Sequence, residues 1–364
     1  LGDVYKRQIL VGQEEDGSPQ GEKHFLFYNP PIVDRELGIR RSPVTDVRLL
    51  AERFLGAGIQ TIVFARARLT TEVLLTYLRD AAVGDGLAPG QVQGYRGGYL
   101  PSERREIERG LRERRVLGVV ATNALELGIN IGHLDACLMT GYPGTIASTW
   151  QQAGRAGRRT DTSAAVLVAG ASPLDQYMVT HPDYFFGRSP ERALLNPDNL
   201  AIAVNHVRCA AFELPFAQDE TFGRFPHTQE VLAFLEEEGL LRSSGGQWHW
   251  TDQVYPAEAI SLRAAEMDNF VVVAISSEEG SSGDGGRAIG VVDRQSVPLL
   301  IHEGAIYIHG GVSYLVRKLD WDGRRAEVEP VEAGYYTQAS LLVNVQVADE
   351  YNQLVGAGTR RAHG

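Results

Sequence analysis

The chain is expected to fold as an α/β protein with a mostly parallel-sheet domain, then a helix-and-hairpin unit, then a small β-rich domain. Three observations predict this. Short β-branched apolar runs alternate with helical patterns through the first half of the 364 residues. A helix followed by a strand–turn–strand pattern occupies the middle. Short strands between turns fill the last third. Strands that alternate with helices imply parallel pairing with helices on both faces.

The elements follow in order. Residues 9–23 are charged and broken by Gly17-Ser18-Pro19, which is linker chemistry. Residues 1–8 read as a cloning or assembly scar and stay outside the fold reading. Residues 61–65, 116–121, 135–139 and 164–169 are short apolar runs, as buried parallel strands are. Helical patterns at 44–55, 70–82, 101–115 and 146–156 separate most of them. Composition shifts at Ser189-Pro190, and the turn Asn196-Pro197 precedes an apolar-periodic helix at 198–212. Residues 228–241 read as an amphipathic helix with Val231, Leu232, Phe234 and Leu235 facing inward. Leu240-Leu241-Arg242, the turn Ser243-Ser244-Gly245-Gly246 and Gln247-Trp248-His249-Trp250-Thr251 then form a hairpin. A helix followed by such a hairpin is the pattern of a winged helix. Runs at 270–275, 288–292, 305–308, 313–319, 325–331 and 341–347 predict a small antiparallel barrel or sandwich, with a loop of low hydrophobicity at 276–286. The expected boundaries are a leader and linker at 1–24, a sheet domain at 25–188, a helical and winged-helix domain at 189–258, a β-rich domain at 259–350 and a tail at 351–364.

The chemistry concentrates in Gln151-Gln152-Ala153-Gly154-Arg155-Ala156-Gly157-Arg158. If the segment is helical, two arginines three apart share a face. The planar, permanently charged guanidinium suits phosphate oxygens, and two of them suit the charge on a phosphoryl group in transfer. Thr122 follows a strand at its carboxyl end, where ligands of open α/β sheets bind. Arg66 and Arg68 follow another strand. In Tyr95-Arg96-Gly97-Gly98-Tyr99, bare backbone can come close to a phosphate beside Arg96. Arg242 with Trp248 or Trp250 on the wing are candidates for duplex contact, against a purely packing role. Tyr307, Tyr314, Tyr335 and Tyr336 are either stacking faces for single strands or ordinary sheet residues. The arginine-rich helix at 104–115 reads as a solvated face laced with Glu–Arg pairs.

Segments 61–68, 121–132 and 151–158 resemble, in order, motifs IV, V and VI of superfamily 2 helicases, the marks of the second of two RecA-like motor domains. A narrower resemblance covers nearly the whole chain. Tyr95-Arg96-Gly97-Gly98-Tyr99, Ala124-Leu125-Glu126-Leu127-Gly128, Ser172-Pro173-Leu174-Asp175-Gln176-Tyr177, Gly304-Ala305-Ile306-Tyr307-Ile308-His309 and Tyr335-Tyr336-Thr337 are similar to the mitomycin-repair (MrfA/YprA-type) helicase family. The resemblance implies ATP-driven 3′ to 5′ translocation on single-stranded DNA and unwinding of forked duplex DNA, in DNA repair. It implies ATP with Mg, held mainly by a preceding RecA-like domain in cis. Arg155 and Arg158 would reach the γ-phosphate, and Gln151 would sense it. Gly128, Asn130 and Gly154 would lie on the nucleotide side. Arg66, Arg68, Arg96, Gly97, Gly98, Thr122 and Asn123 would hold the strand. Asn130 stands where the family usually has aspartate, keeping one acceptor but losing the charge. The family's cysteine-cluster zinc site, near its C-terminus, has no counterpart here, and no metal site is expected.

Composition sets limits. The chain has only three lysines, Lys6, Lys23 and Lys318, and none lies in a G-x-x-x-x-G-K-[ST] loop. The first motor domain is therefore expected to be missing, and this chain alone is expected not to hydrolyse ATP at a useful rate. Two distant cysteines, Cys137 and Cys209, read as buried reduced thiols, and no signal peptide or long apolar stretch appears, so a cytoplasmic protein without membrane contact is expected. A net charge of −11 is compatible with strand binding because such contacts run largely through backbone amides and hydroxyls. The alternatives are an RNA helicase of the same superfamily and a non-enzymatic nucleic-acid-binding protein that keeps one motor domain.

Overall fold

The structure is a computed structural model describing residues 17, 21–84, 86–88, 90–127, 129–132, 134–157, 162–192, 196, 198–260, 269–275, 286–342, 344, 353–355 and 361–363. Its first layer is a six-stranded sheet. The strands are β1 (Lys23–Tyr28), β4 (Thr61–Phe64), β5 (Val92–Tyr95), β6 (Gly118–Ala121), β7 (Ala136–Thr140) and β8 (Ser163–Val168), in the order β1-β8-β7-β4-β6-β5. All the pairings are parallel. A small hairpin of β2 (Ile32–Asp34) and β3 (Ile39–Arg40) follows β1. The four strands expected from apolar runs are present. β1 and β5, the two edges, are additional. β5 (VQGY) is interrupted by Gln93 and Gly94, whereas β1 carries the apolar run Phe25-Leu26-Phe27-Tyr28 directly behind the charged linker.

Period-two alternation splits the core. Ile62, Phe64, Val119, Ala121, Cys137, Met139, Ala165 and Leu167 point to one face, with Ile107 and Leu111 of α3 (Pro101–Arg112) and Ile146 and Ala153 of α4 (Ile146–Ala153). Val63, Val120, Leu138 and Val166 point to the other, against Val47 and Leu55 of α1 (Pro43–Gly56) and Leu74, Leu75 and Leu78 of α2 (Arg68–Gly84). The helix expected at 146–156 stops at Ala153. Gly154 is its C-cap, and Gly157 has φ +78°, so Arg155 lies in a turn, not on a helical face shared with position 158.

After α5 (Pro173–Thr180) and α6 (Pro182–Gly187) comes α7 (Leu200–Glu213), which packs with α8 (Thr228–Glu237) around Val207, Leu232 and Leu235. Strands β9 (Phe216–Ala217), β10 (Leu241–Ser244) and β11 (Gln247–Trp250) form a three-stranded sheet in the order β10-β11-β9. The β10–β11 turn places Gly245 and Gly246 at φ +61° and +79°. Two successive positive φ values define the tight hairpin turn that matches strand twist. A winged-helix unit results.

The β-rich part is a single five-stranded sheet, without hydrogen bonds between its two edge strands among the described residues. Strands β12 (Asn269–Ala274), β13 (Arg287–Asp293), β14 (Ile306–His309), β15 (Val312–Asp320) and β16 (Arg325–Pro330) run in the order β13-β12-β16-β15-β14. The β12–β16 pair is parallel, which breaks the expected antiparallel pattern. Phe270, Val272, Val316 and Val328 form its core with Val297 of the short helix α9 (Val297–Leu300). The strand expected at 341–347 is not formed at its described positions 341, 342 and 344. The expected loop at 276–286 lies outside the described residues except for Gly286.

Candidate functional site

Strands β4, β6 and β5 are neighbours whose last residues, Phe64, Ala121 and Tyr95, stand in register. The segments that leave them therefore emerge along one edge. Arg66, Arg68, Arg96, Gly97, Gly98, Thr122 and Asn123 all lie there, as the sequence predicts. Arg66 and Asn123 are exposed. Thr122 is buried and caps the 3-10 turn Asn123–Leu125, with Oγ1 accepting from the Ala124 N–H at 3.4 Å. That bond uses a lone pair and leaves the hydroxyl proton to donate elsewhere.

Arg96, Gly98 and Arg68 depart from expectation. Arg96 is 2% exposed and does not present a free guanidinium to a phosphate. Its Nε donates to Glu72 Oε1 at 2.6 Å and its Nη2 to the Ile308 carbonyl at 3.0 Å. The guanidinium also lies over the rings of Tyr99 and Tyr307, at 4.9 and 5.7 Å from their centroids. Glu72 accepts in addition from the Tyr99 hydroxyl and the Gly311 N–H, each at 3.0 Å. Gly98, at φ +99°, accepts from the Val291 N–H at 2.9 Å, and a Cβ there would lie 2.7 Å from the Val291 carbonyl oxygen. The glycine thus admits β13, not a phosphate. Arg68 pairs with Asp293 at 2.9 Å and keeps about a third of its side chain exposed. Burial would raise the Asp293 carboxyl, but hydrogen bonds from Ser296 and Arg68 outweigh it and hold the group below the usual range. The physical reason for all three departures is the same: the β-rich sheet docks on the edge that sequence reading left open. Gly97 stays partly exposed; its carbonyl accepts from Arg96 Nη1 at 3.1 Å, and a Cβ there would lie 4.0 Å from Arg68 Nη2.

On the face of the sheet that α3 and α4 cover, the segment after β6 meets the end of α4. Arg155 is 5% exposed. Its Nε and Nη2 donate to the Glu126 carbonyl at 3.0 and 2.6 Å, and its Nη1 to the Ile129 carbonyl at 2.8 Å. The expectation that it extends toward a γ-phosphate is not met in this arrangement, because its donors bind the loop after β6. Glu126, which sequence reading did not single out, is the hub: its carboxylate accepts from Ser148 Oγ at 2.8 Å and Gln152 Nε2 at 3.0 Å. Lys23 Nζ donates to the Ala153 carbonyl at 3.1 Å, and burial lowers its pKa. At the other end of α4, the Glu191 carboxylate accepts from the Ile146 and Ala147 N–H groups at 2.7 and 3.1 Å. Those bonds, Ile146 first, hold Glu191 below its usual pKa. Gln151 and Gly154 are exposed on the same side of the helix end. Asn130 is exposed, and its Oδ1 accepts from the Gly132 N–H at 3.2 Å, a bond that aspartate would make equally well. Gly128 and Arg158 lie outside the described residues.

In the winged helix, Arg242 is exposed. Trp248 is not a free wing residue: it packs against the α7–α8 core, as does Trp250. The reason is that β11 lies against α7, so its indoles cover apolar surface. Tyr307 is buried and Tyr314 half-buried, whereas Tyr335 and Tyr336 are exposed.

Residues 47–160 match the helicase conserved C-terminal domain, and residues 195–265 match the winged helix domain of the ATP-dependent helicase HRQ1. The chain is 51% identical over 349 residues to the ATP-dependent helicase YprA of Bacillus subtilis, covering 96% of this chain and 46% of YprA. It is 35% identical over 335 residues to the ATP-dependent helicase HRQ1 of Saccharomyces cerevisiae, covering 89% of this chain and 30% of HRQ1. Among solved structures it resembles the DUF1998 helicase MrfA bound to DNA, at TM-score 0.79 and 50% identity over 94% of this chain and 45% of that one. The same helicase bound to DNA and AMPPNP matches at TM-score 0.77 and 51% identity, over 91% of this chain and 45% of that one. The chain thus spans less than half the length of these relatives. The chain belongs to the superfamily 2 helicases of the MrfA/YprA type and corresponds to their C-terminal half.

Proposed function

We propose that the chain forms the second motor half of an ATP-dependent 3′ to 5′ DNA helicase, probing and pulling one strand during DNA repair. One observation supports this most. A single short segment runs from Thr122 at the strand edge to Glu126 and Ile129, whose carbonyls hold Arg155 beside the exposed end of α4. Displacement at the α4 end is thereby transmitted to Thr122 through hydrogen bonds and a few residues of backbone. Such direct linkage is what a motor needs to couple nucleotide state to strand grip.

The residues fit a nucleotide held mainly by a preceding RecA-like domain with Mg. Gln151 and Gly154 leave an open polar surface at the α4 end, and Arg158 follows Gly157 in the chain. ATP supplies the phosphoryl group whose transfer drives the cycle. In this reading Arg158 provides positive charge toward the γ-phosphate, while Arg155 positions the loop that carries Asn130. Arg66, Thr122 and Asn123 hold the strand through phosphate oxygens, which carry no base identity. Arg242 remains the wing's candidate for duplex contact.

The test is strand displacement on matched forked DNA and RNA duplexes by the protein extended to the length of its relatives. Unwinding of DNA with ATP, from a 3′ overhang, is expected. Failure to unwind DNA under conditions where ATP is hydrolysed would overturn the reading.

A further inference from the structure

The docking of the β-rich sheet leaves a cleft of about 740 Å³ between it and the first two helices of the motor domain. Its inner wall includes Thr70 and Tyr77 of α2, and its outer wall includes Ser296 and the irregular stretch 336–341. That stretch is tied to β14 through Thr337, whose Oγ1 accepts from the Ile306 N–H at 2.8 Å. The volume falls in the range of about 300–1,000 Å³ typical of sites for small organic groups.

Three features indicate the occupant. First, the cleft adjoins the strand edge: Arg68 and Arg96 line it, and Ala67 follows Arg66 directly. Second, both of those arginines are already neutralised, by Asp293 at 2.9 Å and Glu72 at 2.6 Å. The arginine-lined part of the cleft is therefore suited to an uncharged group, not to a phosphate. Third, two half-exposed tyrosines flank it, Tyr77 at 46% and Tyr336 at 51%. Thr70 and Gln338 add a hydroxyl and an amide to the lining. Exposed aromatic faces with nearby neutral donors and acceptors are what stacks and edge-bonds a nucleobase.

Resting on the strand-binding reading above, we propose that this interdomain cleft takes an unstacked base of the tracked single strand, held against Tyr336. The sugar–phosphate backbone stays outside, along the edge that carries Arg66, Thr122 and Asn123. Stacking is tolerant of sequence, so the cleft suits a motor that must accept every base in turn.

Photo-crosslinking of the whole chain to oligothymidine bearing 4-thiothymine, with the adducts mapped by mass spectrometry, tests this. Adducts at Tyr77 and within 336–341 are expected. Tyr336→Ala should lose roughly tenfold in single-strand affinity, the scale of one lost base–aromatic stack, while Tyr336→Phe should bind as wild type. Matched thermal melts establish that both variants fold. Adducts confined to the edge residues, with Tyr336→Ala binding as wild type, would overturn the cleft and leave the strand reading standing. Absence of any salt-sensitive binding by the wild-type chain would overturn both.

Discussion

Replacing Arg96 with methionine removes a cation from a site where both partners are nearly sealed from water, with side-chain exposures of 3% for Arg96 and 2% for Glu72. Glu72 would remain as a buried carboxylate that keeps the Tyr99 hydroxyl and Gly311 N–H but has no counter-charge. Breaking a buried ion pair by removing one member costs about 3–5 kcal/mol. The lost bond to the Ile308 carbonyl overlaps with that figure, so about 4 kcal/mol is expected in all, most of it felt where the β14–β15 hairpin meets α2. Thermal melting together with hydrogen exchange across 290–311 would read it. The double variant Glu72→Met/Arg96→Met should recover part of the loss. Full recovery is not expected, because the Tyr99 hydroxyl and Gly311 N–H would then lack an acceptor, at about 1–3 kcal/mol each. A variant Arg96→Met with wild-type melting and exchange, but with uniformly weakened single-strand binding, would refute the buried-clamp account and restore Arg96 as a phosphate ligand.

Other expectations follow from the same geometry. Arg155→Ala leaves the buried-side carbonyls of Glu126 and Ile129 without their donors and should cost about 3 kcal/mol, read by chemical denaturation; Arg155→Lys, a single-point donor, should recover only part. Glu191 has a depressed folded pKa, so its contribution is present above the ordinary glutamate value of about 4.3 and is lost as pH falls toward the folded value. The melting difference between wild type and Glu191→Gln should therefore be largest near neutral pH and shrink below about pH 4.3; a pH-independent difference would contradict the helix-cap role. Thr122→Val should weaken single-strand binding by about 1.5–3 kcal/mol, alike across sequences, while the long 3.4 Å cap makes its stability cost small. Anisotropy beside a melting curve separates that from a purely capping role. The chain alone should show no DNA-stimulated ATPase, since none of its three lysines sits in a phosphate loop; steady-state turnover in a clean preparation checks this.

The helicase motifs were legible because glycines, arginines and strand-end hydroxyls must stand at fixed spacing. The winged-helix hairpin was legible for a similar reason: Gly245 and Gly246 are required by positive φ. What hid was long-range. Arg96 meets Tyr307 and Ile308 across 211 and 212 residues, so nothing local marks it as buried. Glu72 and Glu126 look like surface acids in sequence, yet each gathers donors from separate elements. Gly154 and Gly157 end α4 before Arg155, a local effect of glycine that overrides the helical pattern across 146–156. The edge strand β5 is hidden because Gln93 and Gly94 interrupt its apolar pattern, whereas the apolar run of β1 at 25–28 abuts the charged linker and has no helical pattern before it.

In the proposed cycle the nucleotide acts on the strand through the end of α4. Steady-state ATPase with saturating single-stranded DNA, comparing Arg158→Ala with wild type in a protein extended to the relatives' full length, tests it most directly. Turnover should fall by roughly three orders of magnitude, the usual scale for a lost arginine finger, while nucleotide binding weakens far less. Near-normal turnover in Arg158→Ala would contradict a role for the α4 end in phosphoryl transfer.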